Sequence, residues 1–244
     1  MKRKWKLWMI AFVLFVMTDI VMQGNRAEAK KRTFTVNSKT IPCSSSYRQK
    51  PYYNKKTKQY YMINSYMRRL STTGGTLKLK KGTYKIPGTI YVPSNVKIVC
   101  ANGVKIKKTK ATGTKKVKST KFLFQMISEE KASGKQNTGK YAASKNASIQ
   151  GNGKVIFDMG NVNGATAVFV GHASGITVSG VRFRNKKGGS YIWIEGSKNI
   201  SVRQCVFERK KDVSGLKNRM AVRLETSNQT TSDFLVNGTK KTIL

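Results

Sequence analysis

Short runs of alternating apolar and polar residues recur along most of the chain, the period-two pattern of β-strands. Four of them share a common opening: Asn95-Val-Lys-Ile98-Val-Cys100, Asn146-Ala-Ser-Ile149-Gln-Gly151, Gly175-Ile-Thr-Val178-Ser-Gly180 and Asn199-Ile-Ser-Val202-Arg-Gln204-Cys205. They are spaced by 51, 29 and 24 residues, one or two units of about 24–25 plus insertions. A second strand repeats in step: Val168-Phe-Val170, Ile192-Trp-Ile194 and Val222-Arg-Leu224, at intervals of 24 and 30. The extra six residues fall in the polar loop Glu208–Asn218. A near-constant repeat with its insertions confined to turns describes a solenoid whose coils stack on one another. The pattern predicts an all-β fold, a parallel β-helix over residues 76–244 with about five to six coils. Asn and Gly at the start of each unit suit its corners, because both tolerate left-handed backbone angles.

Before the repeat the pattern changes. Over 57–75, Tyr60, Ile63, Met67 and Leu70 fall at helical spacing and Gly74-Gly75 closes the segment, which predicts a short amphipathic helix. A solenoid needs such a cap to cover the first coil. Residues 30–56 read as a polar lead segment. Residues 1–29 read as a secretion signal peptide: the basic opening Met1–Lys6, eleven unbroken apolar residues from Leu7 to Met17, then Ala27-Glu28-Ala29. That apolar run is too short to span a bilayer, and no second one approaches membrane length, so no transmembrane segment is expected in the mature protein.

Charge narrows the function further. The 244 residues carry 48 Lys+Arg against 10 Asp+Glu, a formal charge of +38. So few acids leave little room for carboxylate metal sites or acid/base pairs. A secreted, extracellular or surface protein of this charge meets acidic polysaccharides and anionic cell-wall polymers; a specific nucleic-acid partner is not expected there. The odd cysteine count, Cys43, Cys100 and Cys205, leaves at least one thiol without an intramolecular partner. With no Cys/His cluster, zinc is unsupported.

The stretch Gly74-Gly-Thr-Leu, Gly82-Thr-Tyr84 and Val92-Pro-Ser-Asn95-Val resembles the entry to the pectate-lyase-like superfamily of right-handed β-helices, in which a cap helix is followed by a GGT strand, a G-x-Y turn and a V-P-S-N-V corner. The Asn-led coils downstream are similar too, and the likeness covers roughly residues 57–230. It implies a right-handed helix and membership of a group that includes pectate lyases, polygalacturonase-type hydrolases, epimerases, phage tail proteins and adhesins. The chain departs from the pattern at informative places. Lys80-Lys81 stands where a Pro often precedes the G-x-Y turn. Related bacterial proteins carry G-H-x-I-E-I-D and E-A-I-x-I-D strands in the coils matching Gly189–Glu195 and Met220–Glu225. Here those polar positions read Ser190, Trp193 and Met220, and only the final acids remain, as Glu195 and Glu225.

The repeat alignment puts Phe169, Trp193 and Arg223 in one outward column on adjacent coils about 4.8 Å apart. Two aromatic faces and a guanidinium suit substrate binding to an acidic sugar chain; cross-strand pairing that merely stabilises the sheet is the alternative. Gly171, Glu195 and Glu225 form the next outward column. Two carboxylates there fit a retaining glycosidase pair, a shared Ca²⁺ site, or salt bridges to Lys198 or Arg223. For a lyase, which resembling enzymes run with Arg or Lys as base, Arg182, Arg203 and Arg223 are candidates by residue type. His172, the single histidine, offers general acid/base chemistry or a corner held by backbone bonds. Asp158, followed by Asn161 and Asn163, is a further metal candidate.

The polar stretch after Asn228 leads to an end with no obvious cap, which reads as a truncated chain or a fragment of a longer enzyme. The leading expectation is an exported polysaccharide-active β-helix of lyase or glycosidase type with a degenerate site. Its rival is a non-catalytic surface or adhesion β-helix that holds an anionic wall polymer.

Overall fold

A computed structural model describes residues 31–133, 140–208 and 220–226. The signal peptide read over 1–29, the polar excursion from residue 209 to 219 and the segment after Asn228 lie outside the described residues. Strand β1 (Arg32–Val36) precedes five coils. These carry β2 (Gly75–Leu79), β3 (Gly82–Ile86) and β4 (Ile90–Tyr91); β5 (Val96–Cys100), β6 (Val104–Lys108) and β7 (Phe122–Gln125); β8 (Ser148–Gly151), β9 (Ile156–Asp158) and β10 (Thr166–Gly171); β11 (Ser174–Ser179), β12 (Arg182–Arg184) and β13 (Ile192–Glu195); and β14 (Lys198–Arg203), β15 (Val206–Phe207) and β16 (Val222–Glu225). Corresponding strands of successive coils pair in parallel, giving three sheets: β1-β2-β5-β8-β11-β14, β4-β7-β10-β13-β16 and β3-β6-β9-β12-β15. This is the expected parallel β-helix, right-handed like nearly all parallel crossovers.

One inward column from each sheet builds the core. The first is Phe34, Leu77, Ile98, Ile149, Val178 and Val202. The second is Ile90, Phe124, Val168, Ile192 and Val222. The third is Tyr84, Ile106, Phe157, Phe183 and Phe207. Register is fixed because a slip of one residue would turn each apolar column toward water. The corners follow the sequence as read. Asn95, Asn146 and Asn199 take φ of 60°, 52° and 55°, and Gly175 takes 67°, so one left-handed residue opens each of these coils. The 51-residue interval from Asn95 to Asn146 is a single coil, since Lys97 pairs with Ser148. It carries two excursions, 109–121 and 126–147.

The capping helix spans Lys58–Leu70 and lies against β2, β3 and β4. Tyr60, Ile63, Met67 and Leu70 are all buried. Gly88 exists for this contact: a Cβ there would lie 2.4 Å from the Tyr60 ring. Gly75 belongs to β2 and not to the helix end. The lead segment is more ordered than its polarity suggests. The alternation Thr33-Phe-Thr-Val36 forms β1, which pairs with β2, and Ser45–Arg48 forms a helical turn.

Candidate functional site

The register confirms the outward column on the second sheet: Phe169 opposes Trp193, and Trp193 opposes Arg223. Gln125 opposes Phe169 on the preceding coil, and the Phe122 ring, from the position opposite Thr166, stacks on Phe169 at 4.9 Å between centroids. Trp193 meets Phe169 edge-on at 5.0 Å, and the Arg223 guanidinium lies 4.4 Å from the Trp193 ring centroid. Access differs from the expectation. The excursion after β7 folds over this column, and Ile127, Ala132 and Ala143 pack with Tyr91, Phe122 and Phe169 into a second, smaller apolar core. Phe169 is 1% exposed and cannot stack on a sugar in this arrangement; Trp193 is half-buried at the rim. The cover is tied down where Tyr47 donates to Glu129, Arg68 pairs with Glu130 at 3.1 Å, and the Lys131 ammonium donates to the Ala142 carbonyl at 2.6 Å.

Glu195 and Glu225 are register partners, as the alignment required. Their surroundings set them apart. Glu195 is 2% exposed, whereas Glu225 is exposed and accepts from Arg223 Nε at 2.6 Å. An enclosed acid beside a salt-bridged one does not make a pair that a substrate reaches. His172 occupies a corner with φ 48°, 3% exposed; its amide donates to Glu195 O and its carbonyl accepts from Ala143 N. That is the corner role foreseen as its alternative.

Asp158 lies on the third sheet, away from Glu195 and Glu225 on the second, so the three cannot share a Ca²⁺. Its carboxylate pairs with Lys105 at 3.3 Å and Arg184 at 3.6 Å and accepts from Asn185 Nδ2 at 3.1 Å. Burial pushes its pKa up, but the bonds from Asn185, Gly160 and Lys105 and the Lys105 charge outweigh this and hold it below the usual value. Among the described residues no group of three or more His, Cys, Asp and Glu could hold a metal ion. The three lyase candidates are also scattered, Arg203 on the first sheet, Arg223 on the second and Arg182 on the third. Arg182 is paired with Glu208 beside a hollow of about 720 Å³.

The feature that sequence reasoning missed is the outer face of the third sheet. Its columns run Thr83, Lys105, Ile156, Arg182 and Lys85, Lys107, Asp158, Arg184. Beside the second lies a hollow of about 400 Å³ lined by Lys56, Lys85, Lys107 and Lys110 with Asn161, and a further one of about 320 Å³ shares Lys107 and Asn161. Alternation within Val104–Lys108 marked Lys105 and Lys107 as outward, but only the fold brings Lys56 and Lys110 to them.

No family model matches the chain, and no curated protein matches it either. Its fold resembles that of a bacterial surface adhesin. The likeness to PfbA, a surface adhesin of Streptococcus pneumoniae, has a TM-score of 0.54 at 14% identity and covers 84% of this chain and 45% of that one. An iota-carrageenase complexed to iota-carrageenan fragments matches at a TM-score of 0.44 and 17% identity, over 84% and 47%. The chain thus spans less than half the length of either protein, and the likeness to PfbA shows the fold alone. Support extends to a β-helix; the pectate-lyase-like assignment rests on the motifs alone. No described helix is long and apolar enough to cross a membrane.

Proposed function

We propose that this protein is an exported β-helix that holds an anionic polysaccharide or wall polymer and does not cut it. One observation carries the reading: every described acid is engaged within the molecule, while of the described lysines only Lys105 makes an ion pair. Of the six carboxylates among the described residues, Glu129 accepts from Tyr47, Glu130 pairs with Arg68, Asp158 with Lys105 and Arg184, Glu208 with Arg182, Glu225 with Arg223, and Glu195 is buried. Among the described residues no open acid/base pair is left for glycoside hydrolysis, whose two carboxylates must flank the bond. Arg223, one of the three lyase-base candidates, is occupied by Glu225 and the Trp193 face. The cationic surface remains, and long-range attraction to a polyanion needs nothing more. The adhesin-like fold and the signal-peptide pattern of residues 1–29 agree with a role outside the cell.

The test uses the purified chain with polygalacturonate, with and without Ca²⁺. Unsaturated-uronide absorbance and reducing ends are followed while binding is measured at two salt concentrations. Binding that weakens with salt and yields no product is expected. Product formation abolished by Arg223→Ala would replace this reading with a lyase.

A further inference from the structure

Few of the surface cations are paired, so what locates the binding site is where unpaired ones converge. Arg68, Lys105, Arg182, Arg184 and Arg223 are matched by carboxylates, whereas Arg32, Arg48, Arg69, Arg203 and the other lysines have no ion pair among the described residues. Lys56, Lys85, Lys107 and Lys110 have no ion pair among the described residues, and they converge on the hollow of about 400 Å³. Their convergence is built from below. Lys85 and Lys107 are register partners on adjacent coils, so strand pairing holds them side by side. Lys110 rides on the excursion 109–121, which carries five lysines and no acid. Asn54 donates to the Thr112 carbonyl at 2.9 Å, and this bond brings the lead segment, with Lys56, against the excursion. The excursion is rooted by Lys108, whose buried ammonium donates to Thr120 Oγ1 and to the Phe122 carbonyl at its far end.

Resting on the function proposed above, the geometry points to this lysine hollow as the seat of a linear polyanion lying along the solenoid axis, with successive charges meeting Lys85 and Lys107. Strand pairing sets rungs about 4.8 Å apart, so a polymer along the axis meets a new coil with every such step. Lysine ammoniums act as point charges that read negative charge and not carboxylate shape. Uronate carboxylates and the phosphodiesters of wall polymers therefore share the chemistry required. The adjoining hollow, with Lys187, Asn161 and Asn185, continues the track, and Asp158 closes it. Several weak contacts in a row make affinity depend on ligand length.

The experiment measures binding of polygalacturonate and of poly(glycerol phosphate) to the full chain and to two charge-matched double variants. Lys85→Glu/Lys107→Glu alters the hollow. Lys78→Glu/Lys97→Glu makes the same change of charge on the outer face of the first sheet, where both lysines are exposed. Circular dichroism confirms folding, and Lys85→Gln/Lys107→Gln serves as the milder form. The hollow variant is expected to lose about tenfold or more in affinity, with a salt dependence shallower by roughly one unit per lysine removed. The first-sheet variant should lose much less, and monomeric galacturonate or glycerol phosphate should not compete. Whichever polymer binds more tightly identifies the source of the charge. Equal losses in the two variants would overturn the site while leaving polymer binding standing. If the wild-type chain binds neither polymer, the site and the function fall together.

Discussion

The Lys108 ammonium lies 2.6 Å from the carbonyl oxygen of Phe122, inside the coil, where the alternation of β6 calls for an apolar side chain. Its nitrogen also reaches Pro87 O, Gly88 O and Thr120 Oγ1 at 3.0, 2.7 and 2.9 Å, and it is wholly buried, with burial lowering its pKa well below the ordinary lysine value. Three carbonyls at the turn of the coil are gathered by one cation. Lys108→Met keeps the volume but removes the described donor to Gly88 O and leaves Pro87 O with the Thr120 amide and Phe122 O with the Thr89 and Thr120 hydroxyls alone. Stability should fall by about 3 kcal/mol, roughly 10 °C in Tm. A thermal melt that hardly moves would show that water takes over the role.

Asp158 makes stability sensitive to acid. Its pKa is depressed in the folded chain, so its contribution is present above the unfolded value near 3.9 and is lost as pH falls through the folded value. Denaturant melts should show wild-type stability dropping below about pH 4, with Asp158→Asn removing part of that drop. At neutral pH the variant should lose about 2 kcal/mol, between exposed and buried ion pairs, since Lys105 and Arg184 are left facing each other. A variant with unchanged acid sensitivity would assign the drop to other carboxylates.

Phe169 separates structure from binding. Buried between Phe122 and Trp193 under the excursion after β7, it should cost about 3 kcal/mol when replaced by Ala. Polymer affinity, measured below the variant's melting range, should stay at the wild-type value. Loss of binding in a folded Phe169→Ala chain would mean that the cover opens and sugar reaches the aromatic column.

All three cysteines are free, but they differ in reach. Cys100 sits in a core column and burial pushes its thiol up to about 12, while Cys43 is half-buried near the surface. A thiol reagent at neutral pH should modify Cys43 in the native protein and leave Cys100 untouched until denaturant is added. Labelled peptides read by mass spectrometry decide the point; rapid native labelling of Cys100 would contradict the packing.

The repeat was legible because each coil needs the same alternation and a left-handed corner, which Asn95, Asn146, Gly175 and Asn199 advertise. The column of Phe169, Trp193 and Arg223 was legible for the same reason, as register follows from aligned repeats. Its burial was not, because the cover comes from Ile127, Ala132 and Ala143 in the excursion after β7, whose path no periodicity encodes. β1 escaped notice since Thr33–Val36 is a single short alternation with no repeat to support it. Asp158 read as a metal candidate from its nearby Asn161 and Asn163, because its actual partners, Lys105 and Arg184, come from neighbouring coils distant in sequence. The lysine hollow was hidden among 48 basic residues; only pairing of β3 with β6, and the hydrogen bond from Asn54 to Thr112, singles out four of them.

Burial thins toward one end of the solenoid. Val178 and Phe183 are fully enclosed, yet Val202 and Phe207, one coil further, are only partly so, and Leu224 on β16 is 72% exposed. In a structure whose coils touch only their neighbours, the described coils are then unequal in local stability, and amide exchange is expected to be faster in β14 to β16 than in β8 to β13. Lys85 and Lys107 sit on the two coils nearest the capping helix. Local opening of β14 to β16 would leave those two coils paired, so on the proposed site such opening and release of a bound chain are separate events.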